Sequence, residues 1–557
     1  MKIIYNGKVY LQREEFSEAI LVDSGRIVKT GSSKDLLNEL PSGAEKIDAG
    51  GALILPAFSD SHLHMMSMGR RAQGIECTGA KSFDEVVKRG KDIIAKNKPR
   101  PGSYLRGGGL NPDLFSAGEK RSITKDDLDK ISTEHPVIIS RHCGHIVFCN
   151  TLALKMAGLL DSAPDIEGGT VEKDPSGRPT GVFKENANSL VYKPVPDPTI
   201  EDAKDYLRYS VKHAHSLGIT SVGSQDSGGD DFDWVKRAYN ELYDEYRSEG
   251  RPGLRVTLQC GIGLSEEALD AQLARTAEHG KYNEKIGAKL LTLWEDSDWG
   301  IFLKAGSIKI FADGTLGGHT AWMRQPFKDN PDTKGYPLMD PTMLERFVIK
   351  AARGGMQVVI HAIGDAAMDA CLDSFEKVTE PGRNPLRHGI IHCQLTRQDI
   401  LERMAKNQIL ALVQPIFLAD DIHVLESRVG QEHALTSYAW ASMERLGIPV
   451  SYGTDAPISG LDPIPCIEWA VARRNTKDPS SKSYNEKENV DVYTAVDAYT
   501  MGSAHANLDD DRLGRIAQGM LADFTLLDRD IFTIPIEDIH KAKVLRTICA
   551  GETVYQS

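Results

Sequence analysis

Residues 340–363, DPTMLERFVIKAARGGMQVVIHAI, decide how this chain folds. DPTMLERFVIKAARGG is periodic at helical spacing and ends in small residues, whereas QVVIHAI is a β-type run. A helix delivering a strand is the repeating step of a parallel sheet with helical crossovers. Further β-type runs lie at ITSVGS (219–224), LRVTLQCGI (254–262), SIKIFAD (307–313), HGIIHCQ (388–394), QILALVQPI (408–416) and PVSYGTD (449–455), and TRQDILERMAKN (396–407) is another intervening helix. With a first strand in ALILPAF (52–58) they make eight strands. Eight strand-helix units predict an α/β fold closed into a (β/α)8 TIM-type barrel, although a large doubly wound sheet shares the local pattern.

The ends of the chain differ from this middle. Asn6-Gly7 in IIYNGKVYL and Asp23 to Gly25 in AILVDSGRIVKTG are hairpin-turn chemistry between short β-type runs. From Gly514 the C-terminus returns to the same texture, so residues 1–52 and 510–557 are expected to build one small composite β-sandwich. Residues 53–69 and 200–509 form the predicted barrel. Residues 70–199, rich in Gly, Pro and charge, break the alternation and read as a subdomain inserted after the first barrel strand and covering the active site.

At 557 residues and 41% hydrophobic composition the chain has ample material for a large core. Its net charge of -13 offers no basic footprint, which argues against a nucleic-acid partner. The eight cysteines are scattered with no Cys-x-x-Cys pair, as expected of reduced thiols in a cytoplasmic protein. The N-terminal MKIIYNGKVYLQREEF soon turns polar, and no apolar run approaches the ~18 residues that would span a bilayer, so no membrane partner is expected.

In SDSHLHMMSMG (59–69), His62 and His64 share one face of an extended chain, so their imidazoles can close on one ion. Alone, the pair reads equally as two polar residues at a strand end. Reactive groups of a (β/α)8 barrel sit at the C-terminal ends of its strands, however, and several predicted strands end in metal-type ligands. The first gives His62 and His64, the fourth carries Lys309, the fifth His361, the sixth His392 and the eighth Asp455.

These stretches, PAFSDSHLH, SIKIFADGTLGGHTA, VVIHAIGDAAMD, RHGIIHCQ and GTDAP in that order, resemble the amidohydrolase superfamily, in the branch similar to N-substituted formamide deformylases (the amidohydrolase 3 family). LGRIAQGMLADFTLLD, RHCGHIVFCNTLAL and TGVFKENA extend the resemblance. It implies a site of one or two divalent metals, zinc by default with Mn or Fe as alternatives, in which His62, His64 and Asp455 hold one ion and His361 and His392 the other. It also implies a homodimer and a lysine carbamate, made from CO2, at the place of Lys309. Ser307, Lys309, Phe311 and Asp313 share one strand face. A lysine inside a barrel tends to lose its proton, and only the neutral amine reacts with CO2. An ion pair with Asp313 or Glu185, a Schiff-base lysine, and Glu185 as a replacement bridge are the other readings.

Such residues suit hydrolysis of a C-N amide bond in a small molecule, an N-substituted formamide being the nearest named class, by a metal-activated hydroxide. Asp455 would take the proton of the attacking water and pass it to the leaving nitrogen, with His145 helping the metal at the oxyanion. Asp313 holds a ligand or the lysine, or is turn chemistry; Trp294, Trp322 and Phe417 line an apolar substrate pocket or simply pack. Two rivals remain. A hydrolytic deaminase on the same barrel would be expected to carry a glutamate where Gly364 stands, and a non-catalytic scaffold would be expected to have lost ligands that are all present here.

Overall fold

The computed structural model describes residues 1–557 apart from 113–114, 116–122, 142–145, 167–168, 230 and 479. The chain divides into two compact units, Met1–Met65 with Ser210–Ser557, and Met66–Tyr209. In the first unit eight parallel strands follow one another in chain order: β1 Phe58–Leu63, β2 Ile219–Ser224, β3 Arg255–Gly261, β4 Gly300–Phe311, β5 Gln357–Ala362, β6 Gly389–His392, β7 Leu410–Val413 and β8 Val450–Tyr452. They form a nearly closed TIM-like barrel. Every residue of β1, β2, β3 and β5 is buried, as expected when helices cover the outside and side chains fill the inside.

The helix Pro341–Arg353 that feeds β5 starts where the Asp340 carboxylate accepts the N–H groups of Thr342 and Met343. Pro341 removes a donor that the first turn could not have paired, and Leu344, Phe347, Val348 and Ala351 form the buried stripe. At the N-terminal end of the barrel Val359, Ile391, Leu410 and Leu412 pack with Ala506. The buried Lys304 ammonium is held there by Asp509 and by the Leu508 carbonyl (2.7 Å).

Two sheets stack on a shared core of Ile4, Val9, Ile20, Ile54, Phe524 and Ile548. One has the order Arg26–Gly31, Ala19–Asp23, Lys2–Tyr5, Glu45–Asp48; the other joins both chain ends as Glu552–Gln556, Val544–Cys549, Phe524–Leu527, Leu53–Pro56, Lys8–Gln12, Glu15–Ser17. ALILPAF is therefore corrected: Leu53–Pro56 belongs to this end sheet, and the first barrel strand begins at Phe58. Asn6-Gly7 is corrected too. Asn6 does adopt φ 57°, but the strands flanking it pass into different sheets, whereas Ser24-Gly25 (φ 48° and 70°) closes a true antiparallel hairpin. Barrel and end sheets fall within one compact unit.

The second unit has a six-stranded sheet in the order Gly169–Lys173, Pro179–Glu185, Ile146–Cys149, Val137–Arg141, Leu105–Leu110, Ile75–Glu76. Its cores include Val86, Leu128, Val137 and Ile139 on one side and Leu154, Phe183 and Val191 on the other. Among the described residues no helix is long and apolar enough to cross a membrane, and the seven described cysteines are buried without disulfides.

Candidate metal centre

His62, His64, Lys309, His361, His392 and Asp455 converge at the C-terminal end of the barrel. His64 Nε2 lies 2.9 Å and His62 Nε2 3.4 Å from Asp455 Oδ1. His392 Nε2 lies 2.9 Å from His361 Nδ1. The His62 and His392 rings are 6.0 Å apart, and ligand atoms of His62, His392 and Asp455 all fall within 4.8 Å of one another. His392 and Asp455 both hold left-handed backbone, φ 81° and 55°, the kind of local strain that a site's surroundings must sustain.

Each imidazole has its outer nitrogen against a carbonyl oxygen. His62 Nδ1 meets Gln259 Oε1 at 2.6 Å, His64 Nδ1 the Gln225 carbonyl at 2.8 Å, His392 Nδ1 Gln414 Oε1 at 2.7 Å, and His361 Nε2 the Gly314 carbonyl at 3.0 Å. The glutamine amides are oriented in turn, because Gln259 Nε2 donates to Ser61 O and Gln414 Nε2 to Leu412 O. A carbonyl accepts only from N–H, so this network assigns a proton to the outer nitrogen of every ring and leaves a lone pair facing inward on His62, His361 and His392. Burial pushes His62 and His392 well below the ordinary imidazole range and His361 down to about 3, so a second proton is not available. For His64, burial opposes the charged form but the bond to Asp455 wins and raises it.

The facing lone pairs of His361 and His392 at 2.9 Å, and that of His62 against the Asp455 carboxylate at 3.4 Å, repel unless a cation lies among them. A Lys309 ammonium would be poorly held in that place. Its amine is fully buried, with no hydrogen-bond partner among the described residues, and burial pushes it down to about 7 against the pull of Asp455. Imidazole and carboxylate donors of this kind fit Zn, Mn or Fe.

Asp313 is a clamp rather than turn chemistry. Its buried carboxylate accepts N–H from Trp322 (2.9 Å), Ile363 (3.0 Å) and Gly364 (2.8 Å), tying the segment after β4 to the one after β5, and burial raises it to about 7. It makes no ion pair with Lys309. Phe417 stacks on the His392 ring at 5.8 Å, and Phe311 lies 5.2 Å from that of His361. Trp294 does not join them: it sits in the strand Ala288–Asp296, paired with the start of β4, where it packs on Tyr243 and Phe302 at the end remote from Lys309. A hairpin that the sequence did not reveal carries it there. Glu185 ends the strand Pro179–Glu185 of the second unit, with φ 52°, and His145 lies outside the described residues. Gln259, Gln414 and Asp60 were missed; the two glutamines lie on predicted strands and Asp60 just after one, but nothing in a single sequence marks which glutamine faces a histidine.

The chain matches the amidohydrolase family over residues 45–555. It is 32% identical to YtcJ of Bacillus subtilis (strain 168), a protein named provisionally as an amidohydrolase, over the full length of both chains (100% of each). It is 25% identical to the N-substituted formamide deformylase of Arthrobacter pascens, over 100% of this chain and 98% of that one. A crystal structure from Pyrococcus furiosus, described only as a metal-dependent hydrolase, superposes with a TM-score of 0.73 at 30% identity, covering 96% of this chain and 100% of that one. With its barrel, its strand-end ligands and a family match across nearly all of its length, the chain belongs to the amidohydrolase family.

Proposed function

We propose that this protein is a metal-dependent hydrolase that cleaves a C-N amide bond in a small molecule, with N-substituted formamides as the first class to test. The observation that carries this is the pair of inward lone pairs on His361 and His392, 2.9 Å apart in a buried site with both outer nitrogens already engaged. His62, His64 and Asp455 hold one cation and His361 and His392 a second, with zinc as the expected metal. When bound, the metal supplies Lewis acidity that polarises a carbonyl and acidifies water.

The remaining work falls to the chain. Asp455, whose Oδ1 lies 2.9 Å from His64 Nε2, accepts a proton from water at a carboxylate oxygen and returns it to the departing amine nitrogen. Lys309, neutral at Nζ, adds CO2 with loss of one proton to give a carbamate, an anionic ligand that satisfies the otherwise unpartnered amine. Phe417 and Phe311 give the substituent on nitrogen an apolar wall. The deaminase alternative has no room for its carboxylate, since a Cβ on Gly364 would lie 2.0 Å from the Trp322 carbonyl oxygen.

The test is elemental analysis of the purified protein together with hydrolysis of a panel of N-substituted formamides, other amides, esters and amines. Turnover of an amide, abolished by chelation and by Asp455→Ala, is expected. Full metal occupancy with no turnover of any member of the panel would replace the enzyme with a non-catalytic scaffold.

A further inference from the structure

Strands β1 and β8 are the two ends of the barrel sheet, and among the described residues no β-ladder joins them. Yet these strands carry His62 and His64 on one side of the seam and Asp455 on the other. Two backbone bonds cross it, Asp455 N–H to the His62 carbonyl (2.9 Å) and His64 N–H to the Ala456 carbonyl (2.8 Å). Apart from the contacts of His62 and His64 with Asp455, the side-chain bonds across the seam among the described residues come from Asp60. Asp60 is wholly buried; its Oδ1 accepts the His62 N–H at 3.0 Å, and its Oδ2 accepts both the Thr454 N–H at 2.9 Å and the Thr454 hydroxyl at 2.7 Å. The Thr454 oxygen accepts the Ala456 N–H at 3.3 Å in turn, so Asp455 is bracketed on both sides by groups tied to Asp60.

The backbone on both strands is shaped for this. In β1 the register slips between Asp60 and Leu63, so that the His62 N–H is met by a carboxylate rather than by a ladder carbonyl. In the loop after β8, a Cβ on Gly453 would lie 2.8 Å from Asp60 Oδ1 and 2.8 Å from the His62 nitrogen. Only glycine leaves space for the carboxylate there.

We propose that Asp60 is a positioning residue: by clasping the seam it sets the separation between the His62–His64 pair and Asp455, and so the affinity and coordination geometry of the cation these three residues hold. This rests on the metal-centre reading above. Asn cannot replace Asp60, because its amide would turn N–H groups toward either the His62 or the Thr454 N–H.

Cobalt(II) is the probe, titrated into metal-free full-length protein while its visible d–d absorption and stoichiometry are recorded. Asp60→Asn and Thr454→Val are expected to bind it about 10–100-fold more weakly than wild type, the usual cost of losing a group that orients a ligand, and with an altered spectrum. Thr454→Ser, which keeps the hydroxyl, restores both. Asp523→Ala, which removes a buried carboxylate elsewhere in the same unit, lowers the melting temperature and leaves the spectrum unchanged. Wild-type affinity and spectrum in both Asp60→Asn and Thr454→Val would overturn the inference, as would the same spectral change in Asp523→Ala. If Asp60→Asn fails to fold, Thr454→Val decides. A wild-type protein that binds no cobalt overturns the metal-centre reading itself, an outcome distinct from wild-type binding that the seam variants fail to disturb.

Discussion

Gln414 shows how much of the candidate centre depends on a residue that adds no ligand atom to it. Replacing it with Leu removes the acceptor of the His392 Nδ1 proton, which is buried and has no other acceptor among the described residues. The ring is then free to take the other tautomer, which turns an N–H toward His361. Gln414→Leu is expected to weaken metal binding by about 10–100-fold, measured by competitive titration against a chelator, with little change in the fold. A histidine of the opposite kind lies four residues before His392. His388 is wholly buried, stacks on Phe375 at 5.3 Å, and accepts the Val358 N–H at Nδ1 (3.0 Å); burial pushes it down to about 3. Its folded value lies below the unfolded 6.5, so the unfolded chain takes up the proton first and the native state loses stability as pH falls from 6.5 toward 3. His388→Asn keeps an acceptor but cannot titrate. Between pH 6.5 and about 5 it should lose about 2 kcal/mol less stability than wild type, read from urea unfolding at each pH. The convergence of the ligand histidines was legible in the sequence because each ends a β-type run. The difference between His388, a neutral acceptor in the packing, and His392, one residue type in one short stretch, depends on neighbours that only the folded chain supplies.

At the scale of elements, the loops at the C-terminal end of the barrel are held by side chains acting across strands. Asp313 joins the segments after β4 and β5 through three N–H groups, two of them on residues that follow His361. Asp313→Ala strands these buried donors, at about 1–3 kcal/mol each. A loss of at least about 3 kcal/mol in urea unfolding is expected, together with a loss of metal from the His361–His392 pair; Asp313→Asn, with one oxygen to offer, should fall between. The strands themselves were mostly legible. ITSVGS matches β2 residue for residue, and the other β-type runs from 254 onward fall on β3 to β8 within three residues at either end, except that β4 begins seven residues before SIKIFAD. ALILPAF misled because two strands of different sheets abut with only Ala57 between them, and Pro56, the one turn-type residue of the apolar run, is itself the last residue of the first strand. Asn6-Gly7 misled for a related reason: turn chemistry records a residue's φ, whereas pairing depends on where the strands go next. The hairpin of Lys281–Asn283 with Ala288–Asp296 was hidden because its partner, the start of β4, precedes the run SIKIFAD that announced the strand.

Across the whole molecule, the barrel separates what stabilises it from what reacts. Its C-terminal end gathers ligands whose lone pairs oppose one another, while its N-terminal end carries buried charges that are fully paired. The Arg255 guanidinium, almost wholly buried, donates to both Asp523 oxygens (3.0 and 3.3 Å) and to the Trp299 and Ile301 carbonyls (3.1 Å each), and so fastens β3 to the sheet built from the chain ends. Asp523 also accepts the Ala550 N–H at 2.7 Å. Asp523→Ala leaves the arginine charge buried without its counterion, and breaking such a pair costs about 3–5 kcal/mol. The centre at the other end should not register that loss. Effects of groups that share no partner add to within about 0.5 kcal/mol, so chelation should lower the urea midpoint of wild type and of Asp523→Ala by equal free energies. A cycle of four unfolding curves, wild type and variant with and without metal, measures this directly. A coupling well above that limit would mean that the two ends of the barrel are not energetically separate, and that the end sheets help to shape the metal centre.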